Sequence, residues 1–323
     1  MKVTYVLNYQ PSQTSGKELA AFEKITAMKE VFTDVRVVYP KGENGFSLLL
    51  SFAANEFQLL RLLRRNPSDF LICRGVGGIF ASLFFPNLVV REIHADLDEE
   101  LRILNKTSIK YFMLRRLNKF LQMRCVAHIY NNPLLVEFFK AKGFLGHSYV
   151  AYNGVNASEA KKRAYESNYH APCKNYVVFT GSCSVWHDMQ MVEELAKKLR
   201  AHGIETIVAG GRFTSPNTIN ISPCSNSNCL SLVKNSLGAL IFINNVRVSP
   251  GNALKTYEYM ALGRPVLANE ALMGYSDELA DYDGALLLDP AISNSSKIAR
   301  FLLENADSQF FRARPYSWVH RME

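Results

Sequence analysis

Short apolar runs alternate with longer amphipathic segments along most of the 323-residue chain. The short runs are rich in Val, Ile, Leu and aromatic residues, which is typical of buried strands. In the first half they predict strands at 2–7, 35–39, 69–74, 88–94, 127–130 and 148–152. Helical patterns lie between them, at 16–30, 53–66, 77–84, 99–121 and 133–142. Strands separated by helices of this length indicate right-handed βαβ units on a parallel sheet.

The alternation stops over residues 153–175 and then restarts. This segment is polar and contains no strand candidate, which predicts a linker between two domains. Beyond it the pattern predicts strands at 176–181, 205–210, 238–243, 264–268 and 284–288, and helices at 188–202, 227–236, 252–262 and 294–305. The chain is also long for one hydrophobic core. We therefore expect two doubly wound α/β domains in tandem.

Composition favours an ordinary globular protein of a reducing compartment. The chain is 48% hydrophobic and 20% charged. Its first apolar run is broken by Asn8 and Pro11, which indicates a first strand and not a signal peptide. No apolar window approaches the roughly 18–20 residues of a membrane span. The six cysteines lack paired metal-ligand spacing, so we expect reduced thiols, no metal site and a cytoplasmic location.

Positive charge is concentrated in the first half of the chain. Residues 1–153 carry 20 Lys and Arg against 13 Asp and Glu, whereas residues 154–323 carry 17 against 16. Much of the excess lies in RLLRR at 61–65 and in a basic, amphipathic run at 101–124. Such a pattern favours an anionic membrane surface, although a solvated helix face would have the same composition. No nucleic-acid recognition motif accompanies the charge, so we expect no nucleic-acid partner.

One candidate site lies in SPGNALKTYEYMALGRPVLANE, residues 249–270, where a helix is followed by a strand. The helix would direct the unpaired N–H groups of Gly251, Asn252 and Ala253 toward an anion. Lys255 and Glu258, three positions apart, lie on one face of it. Lysine can reach a diphosphate, and a carboxylate can accept two hydrogen bonds from a ribose diol. An exposed ion pair is the competing interpretation.

Two further candidate loops follow strands. The strand that ends at Gly181 runs into a Ser-rich turn containing Ser182 and His187, although many βα loops look similar. In REIHADLDEE, residues 91–100, His94 ends a strand and could orient a sugar hydroxyl. A helix-capping acidic cluster with a hydrogen-bonded histidine is the alternative there. Arg74, at the end of the preceding strand, is a candidate site residue for the same reason.

Four segments in chain order resemble GT-B glycosyltransferases, specifically the large retaining group called family four (glycosyl transferases group 1). VAYNGVNAS, at 150–158, is similar to the segment that closes the family's first domain. VVFTGSCSVWHDMQMVEEL, at 177–195, resembles the entry to the second. KTYEYMALGRPVLANE, at 255–270, resembles the family's donor-binding block, and YSWVHRM, at 316–322, its terminal helix. The last match would explain how the aromatic tail is buried.

The resemblance implies a GT-B fold with two Rossmann-like domains facing a cleft. The acceptor-binding domain would cover 1–155 and the nucleotide-sugar-binding domain 156–307, and a helix at 308–323 would cross back to the first domain. It also implies a nucleotide-diphosphate sugar as co-substrate, no bound cofactor and no metal.

Site residues follow from the same resemblance. His94, Lys255 and Glu258 would be catalytic: Glu258 binds the donor ribose, Lys255 contacts phosphate and His94 lies near the transferring sugar. Gly16, Gly181 and Ser182 match the family's loops near the donor phosphates. From the residues themselves we add as donor-binding positions His187, Arg212, Arg247, Ser249, Gly251, Asn252, Ala253 and Thr256. Arg74 and Asp96 are expected on the acceptor side.

This sequence departs from the family pattern at two places. The family has two glutamates separated by seven residues, and Pro250 occupies the earlier position here. Trp186 and His187 stand where the family has an Arg/Lys pair. Lys255, Arg247 or Arg212 could supply the missing cationic contacts.

Together these features predict a retaining glycosyltransferase of cell-surface glycan assembly, peripheral on the inner face of the membrane. It would act on a lipid-linked or polysaccharide acceptor. The two departures motivate an alternative, a non-catalytic GT-B module that assists an active transferase. A sugar-nucleotide epimerase is a third possibility, which the basic first half disfavours because a small substrate needs no charged surface.

Overall fold

The computed structural model describes residues 1–11, 16–39, 45–144, 146–244, 246, 253–269, 279, 281–289 and 291–310. Within these residues the chain forms two compact units, divided between Tyr152 and Asn153. Each unit contains a six-stranded parallel sheet with helices around it. The predicted α/β class with two doubly wound parallel sheets is confirmed.

The first unit has strand order β2-β1-β3-β4-β5-β6. Its strands are β1 (Lys2–Val6), β2 (Asp34–Val38), β3 (Phe70–Arg74), β4 (Val89–Ile93), β5 (Ala127–Tyr130) and β6 (His147–Val150). Its helices are α1 (Gly16–Val31), α2 (Gly45–Arg65), α3 (Ile79–Phe84), α4 (Leu97–Ile103), α5 (Ile109–Arg124) and α6 (Pro133–Ala141), with a 3-10 turn at Pro86–Leu88. Val3, Tyr5 and Leu7 pack into one apolar cluster and Val6 into another. The sheet is therefore buried on both faces.

The second unit has strand order β12-β11-β10-β7-β8-β9. Its strands are β7 (Tyr176–Gly181), β8 (Glu205–Gly210), β9 (Ile219–Ile221), β10 (Gly238–Ile241), β11 (Val266–Asn269) and β12 (Ala285–Leu288). Its helices are α7 (Ala157–Glu166), α8 (Met189–Arg200), α9 (Asn226–Lys234), α10 (Leu254–Ala261) and α11 (Ser295–Glu304). Tyr176 and Val178 pack on one face of the sheet, Val177 and Phe179 on the other.

In each sheet the direction of winding reverses beside the first strand. β1 has β2 on one side and β3 on the other, and β7 has β8 on one side and β10 on the other. Open parallel sheets bind ligands at the carboxyl ends of strands at such a switch point. The ends of β1 and β3, and those of β7 and β10, are therefore the places to look for a site.

The helix predicted over 99–121 is two helices. α4 ends at Ile103 and α5 begins at Ile109. Between them Asn105 has a φ of 51°, the left-handed conformation that commonly ends a helix. Asparagine tolerates this conformation, and the amphipathic pattern on either side conceals the break.

The linker predicted over 153–175 is wrong across Ala157–Glu166, which form α7. The Asn156 side chain caps this helix by accepting a hydrogen bond from the Glu159 N–H at 3.2 Å. Ala160 and Ala164 are fully buried in the core of the second unit. Two small residues one turn apart make an apolar stripe that is easily missed in a polar segment. The short β9 was also not predicted.

The end of the described chain packs on the second unit. The Phe310 N–H donates to the Gly263 carbonyl at 3.1 Å, and its ring contacts Tyr282 edge to face. Of the helix predicted over 308–323, residues 308–310 are not helical. The rest of that segment lies outside the described residues.

Candidate functional site

At the switch point of the second sheet, the strand ends are built from glycine. Gly181 closes β7 with a φ of 107° and Gly210 closes β8 with a φ of 99°. A Cβ atom on Gly210 would lie 3.3 Å from the Gly181 nitrogen, and one on Gly211 only 2.4 Å from the Cys183 nitrogen. The two loops therefore touch through their main chains, which requires residues without side chains.

Lys255 reaches this strand end from the first turn of α10. Its ammonium group donates a hydrogen bond to the Thr180 carbonyl at 2.7 Å and lies 3.2 Å from His187 Nε2. It also lies 4.2 Å from the centre of the Phe179 ring, a cation–π distance. Because an ammonium group has only donors, His187 Nε2 accepts from it. The interpretation of Lys255 as half of an exposed ion pair is therefore wrong.

The electrostatics of this contact give the two side chains different charges at neutral pH. Burial lowers the pKa of Lys255 to about 8, against the opposing effect of the Glu258 carboxylate. Burial, followed by the charge of Lys255, lowers the pKa of His187 to about 3. Lys255 is thus mainly charged and His187 neutral. With Nε2 accepting, His187 carries its proton on Nδ1, which lies 3.2 Å from the Ser184 hydroxyl.

Glu258 lies on the same helix as Lys255, one turn further along. Its Oε1 accepts a hydrogen bond from the Asn226 amide at 3.3 Å. The Asn226 side-chain oxygen Oδ1 in turn accepts from the Arg163 guanidinium at 2.9 Å. Glu258 is therefore oriented by a chain of hydrogen bonds that links α10 to α9 and α7.

Other donor-side positions have mixed outcomes. Ser182 and Arg212 are exposed just after β7 and β8, and Ala253 is the extended residue that precedes α10. Thr256 is 1% exposed and its hydroxyl has no hydrogen-bond partner among the described residues. The structure does not support Thr256 as a donor-binding residue, because its side chain faces the core.

The remaining predicted donor-binding residues lie at the start of α1 or outside the described residues. Gly16 is the first residue of α1. Arg247, Ser249, Gly251 and Asn252 lie outside the described residues. Across the described ranges, no three or more His, Cys, Asp or Glu side chains form a group that could hold a metal ion.

The first unit has its own polar cluster, centred on the buried Glu92 of β4. Tyr5 donates a hydrogen bond to Glu92 Oε2 at 2.7 Å, and the Lys24 ammonium lies 3.0 Å from Oε1. His94 Nε2 contacts the same Oε1, and the Arg74 guanidinium lies 4.0 Å from it. Arg74 ends β3 and His94 follows β4, so the cluster lies at the carboxyl edge of the sheet.

Burial and charge make His94 a hydrogen-bonding group. Burial, followed by the charge of Arg74, lowers the pKa of His94 to about 4. Burial alone would raise the pKa of Glu92, but Lys24, His94 and Arg74 hold it well below its usual value. Neutral His94 therefore donates Nε2–H to the carboxylate and keeps Nδ1 as an acceptor. A ring with this pKa is poorly suited to take up a proton at neutral pH.

The two residues predicted on the acceptor side differ in their surroundings. The Arg74 side chain is 15% exposed and lies 5.7 Å from the centre of the Tyr9 ring. Asp96 is the N-cap of α4, where it accepts from the Asp98 N–H at 3.2 Å, and it also pairs with Lys142. The structure does not support an acceptor-side role for Asp96, because its carboxylate is used to cap and fasten the helix.

Several residues around Glu92 in the first unit, and around Lys255 and Glu258 in the second, were not predicted. In the first unit these are Tyr5, Lys24 and Glu92, and in the second Thr180 and Asn226. One signal was available, since Arg91 and Glu92 are charged residues inside a strand buried on both faces. Lys24, Thr180 and Asn226 carry no such local signal.

Comparison with known proteins identifies the fold. No family model and no curated protein matches the chain by sequence, but solved structures match almost all of it. An alpha-glucosyltransferase in complex with UDP and a 13-mer DNA has a TM-score of 0.64 and 13% identity, over 99% of this chain and 93% of that one. A structure described as trehalose-6-phosphate from E. coli bound with UDP-2-fluoro glucose has a TM-score of 0.60 and 11% identity, over 100% and 93%.

A third structure extends the likeness. WaaG, a glycosyltransferase involved in lipopolysaccharide biosynthesis, has a TM-score of 0.56 and 13% identity, over 99% of this chain and 94% of that one. At such low identities the likeness shows the fold alone. The chain has the GT-B fold of glycosyltransferases, as its sequence predicted.

Proposed function

We propose that this protein is a retaining glycosyltransferase, which moves a sugar from a nucleotide-diphosphate donor to a polysaccharide or lipid-linked acceptor in cell-surface glycan assembly. The observation that carries the proposal is the position of Lys255. Its ammonium group lies against the end of β7, at the switch point of the second sheet, with Glu258 on the same helix. A buried cation beside a glycine turn suits a diphosphate.

In this proposal residues 156–307 bind the donor. Lys255 and the exposed Arg212 stabilise the charge that develops on the leaving diphosphate, and the small Gly181 allows close approach of a phosphate. Glu258 accepts hydrogen bonds from the ribose. These contacts supply the charge stabilisation without a metal ion, and the reaction uses no bound cofactor. The similar alpha-glucosyltransferase structure contains UDP and the E. coli structure contains UDP-2-fluoro glucose, which makes UDP a reasonable first probe.

Residues 1–155 take the acceptor in the same proposal. Arg74 and His94 lie at the carboxyl edge of the first sheet, where His94 Nδ1 can accept a hydrogen bond from a sugar hydroxyl. Since His94 stays neutral, the proton of the attacking hydroxyl passes to the leaving phosphate. We infer no nucleic-acid acceptor, although the similar alpha-glucosyltransferase was solved with DNA.

Donor binding tests the proposal directly. We expect calorimetry to detect binding of UDP or another nucleoside diphosphate, and Glu258→Ala to weaken it at least tenfold, about 1.4 kcal/mol. Glu304→Ala, which removes an exposed carboxylate of α11, is the matched control and should bind as wild type does. Release of free nucleotide from a panel of nucleotide sugars, with and without a chelator, then identifies the donor and tests metal independence.

Two results would contradict the proposal. Failure to bind any nucleoside diphosphate or nucleotide sugar would remove the enzymatic role and favour the accessory module. Equal affinities of the wild type and Glu258→Ala would show that the nucleotide binds elsewhere.

A further inference from the structure

A groove on the first unit lies between α2 and α3, apart from the Glu92 cluster. Its volume is about 640 Å³. It is lined by Phe57, Leu60, Arg61, Arg64, Arg65, Phe80, Leu83 and Phe84. None of these residues contributes to the proposed donor or acceptor contacts, so the groove requires a separate explanation.

The apolar part of the groove is unusually open to solvent. Phe57 is 64% exposed, Phe84 62% and Leu83 43%. Single exposed apolar side chains are common on protein surfaces, but several around one concave site indicate a binding surface. Two exposed phenylalanine rings provide the large apolar area that such a surface needs.

The polar part of the groove is entirely cationic. Arg61, Arg64 and Arg65 follow one another at spacings of three and one along α2, which places them on one side of the helix. No acidic residue lines the groove. Apolar rings beside three guanidinium groups complement an amphiphile whose head is anionic.

The groove is held in shape by a buried carboxylate beneath it. Glu56 of α2 is 2% exposed, and it accepts hydrogen bonds from the Gly78 N–H at 2.6 Å and the Phe80 N–H at 2.9 Å. It therefore fastens the start of α3 to α2. The Phe57 and Phe80 rings meet edge to face, with centroids 5.4 Å apart. The walls are thus organised without a ligand.

The same character continues onto α5, which packs beside α3. Ile109 is 79% exposed, and Phe112 and Met113 are each more than half exposed. Lys110 and Arg116 lie among them on the same helix. Exposed basic and apolar side chains on a further helix beside the groove match an extended anionic surface better than a single peptide or small ligand.

We propose that the groove between α2 and α3 docks the protein on an anionic lipid bilayer. Phe57, Leu83 and Phe84 enter the boundary between headgroups and acyl chains, while Arg61, Arg64 and Arg65 contact lipid phosphates. Within the described residues no helix combines the length and apolar character needed to cross a bilayer. The inference does not depend on the proposed transferase activity.

Vesicle flotation tests the docking surface with the whole chain. We expect wild type to float with vesicles of phosphatidylcholine and phosphatidylglycerol at low salt, and to release them as salt is raised. Phe57→Ser with Phe84→Ser, and separately Arg61→Gln with Arg64→Gln and Arg65→Gln, should each lower the partition coefficient at least tenfold. Melting curves establish that the variants are folded.

Matched controls remove similar groups from the second unit. Lys197→Gln with Lys297→Gln and Arg300→Gln deletes three exposed positive charges, and Leu303→Ser deletes an exposed apolar side chain. Both should float as wild type does. If the three-charge control loses as much binding as the arginine variant, net charge and not the groove drives the association, and the proposal fails.

Three further outcomes would overturn the proposal. One is absence of flotation with anionic vesicles at low salt. The second is unchanged flotation of both groove variants while Ile109→Ser with Phe112→Ser abolishes it, which would assign docking to α5 alone. The third is salt-sensitive binding to duplex DNA that the arginine variant abolishes, in a protein that does not bind vesicles.

Discussion

The ammonium group of Lys255 carries a charge that depends on pH within the range where proteins are usually studied. Burial disfavours the charged form, and the pKa of Lys255 falls to about 8. A diphosphate bound beside it would favour the charged form again. Nucleotide binding in the proposed site is therefore linked to uptake of a proton at alkaline pH.

This linkage predicts how affinity changes with pH. Above pH 8 the dissociation constant of UDP should rise, by up to about tenfold for each pH unit, because Lys255 must first gain a proton. Lys255→Arg should bind UDP with little dependence on pH over this range, since arginine stays protonated. Calorimetry from pH 6.5 to 9.5 measures both. A flat profile for wild type, or the same slope in Lys255→Arg, would contradict the assignment.

The same residues show what a sequence can reveal about a site. The spacing of Lys255 and Glu258 predicts a shared helix face, because that property is local. Their partners Thr180 and Asn226 are 75 and 32 positions away, so only the fold brings them together. Thr256 was predicted on the donor side and is buried instead, because the packed stripe of α10 is wider than its apolar residues indicate.

At the scale of elements, the turns that flank β8 depend on glycine in two different ways. Gly211 faces backbone atoms of the neighbouring loop, with 2.4 Å from an added Cβ to the Cys183 nitrogen. Gly203, in the turn before β8, has a φ of 71° but no atom within 4 Å of an added Cβ. At Gly211 a side chain is excluded by the lack of space, and at Gly203 it is disfavoured by the backbone conformation.

Alanine substitutions separate these two causes. Gly203→Ala should lower the free energy of unfolding by about 1 kcal/mol, the cost of a left-handed alanine. Gly211→Ala should cost more, on the order of 2–3 kcal/mol, because neither backbone segment can move away without breaking strand contacts. Urea denaturation followed by circular dichroism measures both. A Gly211→Ala variant no less stable than Gly203→Ala would show that the loops are free to separate.

Elements also differ in how well a pattern predicts them. β7 and β8 begin and end as predicted, because both are mainly apolar runs closed by glycine. The break between α4 and α5 depends on one asparagine at positive φ, which an amphipathic pattern does not show. α7 is stabilised by tertiary packing of two alanines, and such packing is not visible in local composition.

At the scale of the molecule, the alternation of strands and helices predicts two parallel sheets but not their strand order. Order depends on which strands pair, and pairing is a long-range property. β1 lies between β2 and β3 in one sheet, and β7 between β8 and β10 in the other. These arrangements determine where the strand ends open, and hence which predicted residues, such as Arg74 and His94, lie near one another.

Buried neutral histidines make the molecule sensitive to mild acid. His94 and His187 have pKa values of about 4 and 3, and burial also lowers the pKa of His128. In the unfolded chain a histidine has a pKa of about 6.5. Between the folded and unfolded pKa values the unfolded state binds more protons than the folded state. The free energy of unfolding is therefore highest above pH 6.5 and decreases as pH falls toward 4.

For His94 alone, the predicted decrease in the free energy of unfolding approaches about 3 kcal/mol. The urea midpoint of wild type should therefore fall between pH 7.5 and pH 4.5, and that of His94→Asn should fall less. Glu92, with a pKa well below 4.5, loses its contribution only at lower pH and does not obscure the comparison. Equal shifts of the two midpoints would show that His94 titrates normally.

The three groove arginines of α2 also indicate how the first unit would be oriented on a bilayer. The groove side chains of α2 span Phe57 to Arg65, roughly 13 Å of helix, and a helix held along this length would lie along the surface that it binds. Helices of βαβ units run antiparallel to their strands, so the strands of the first sheet would lie along that surface too. Their carboxyl edge would then open sideways. A lipid-borne acceptor would reach Arg74 and His94 by two-dimensional diffusion, and membrane fluidity would limit how often the two meet.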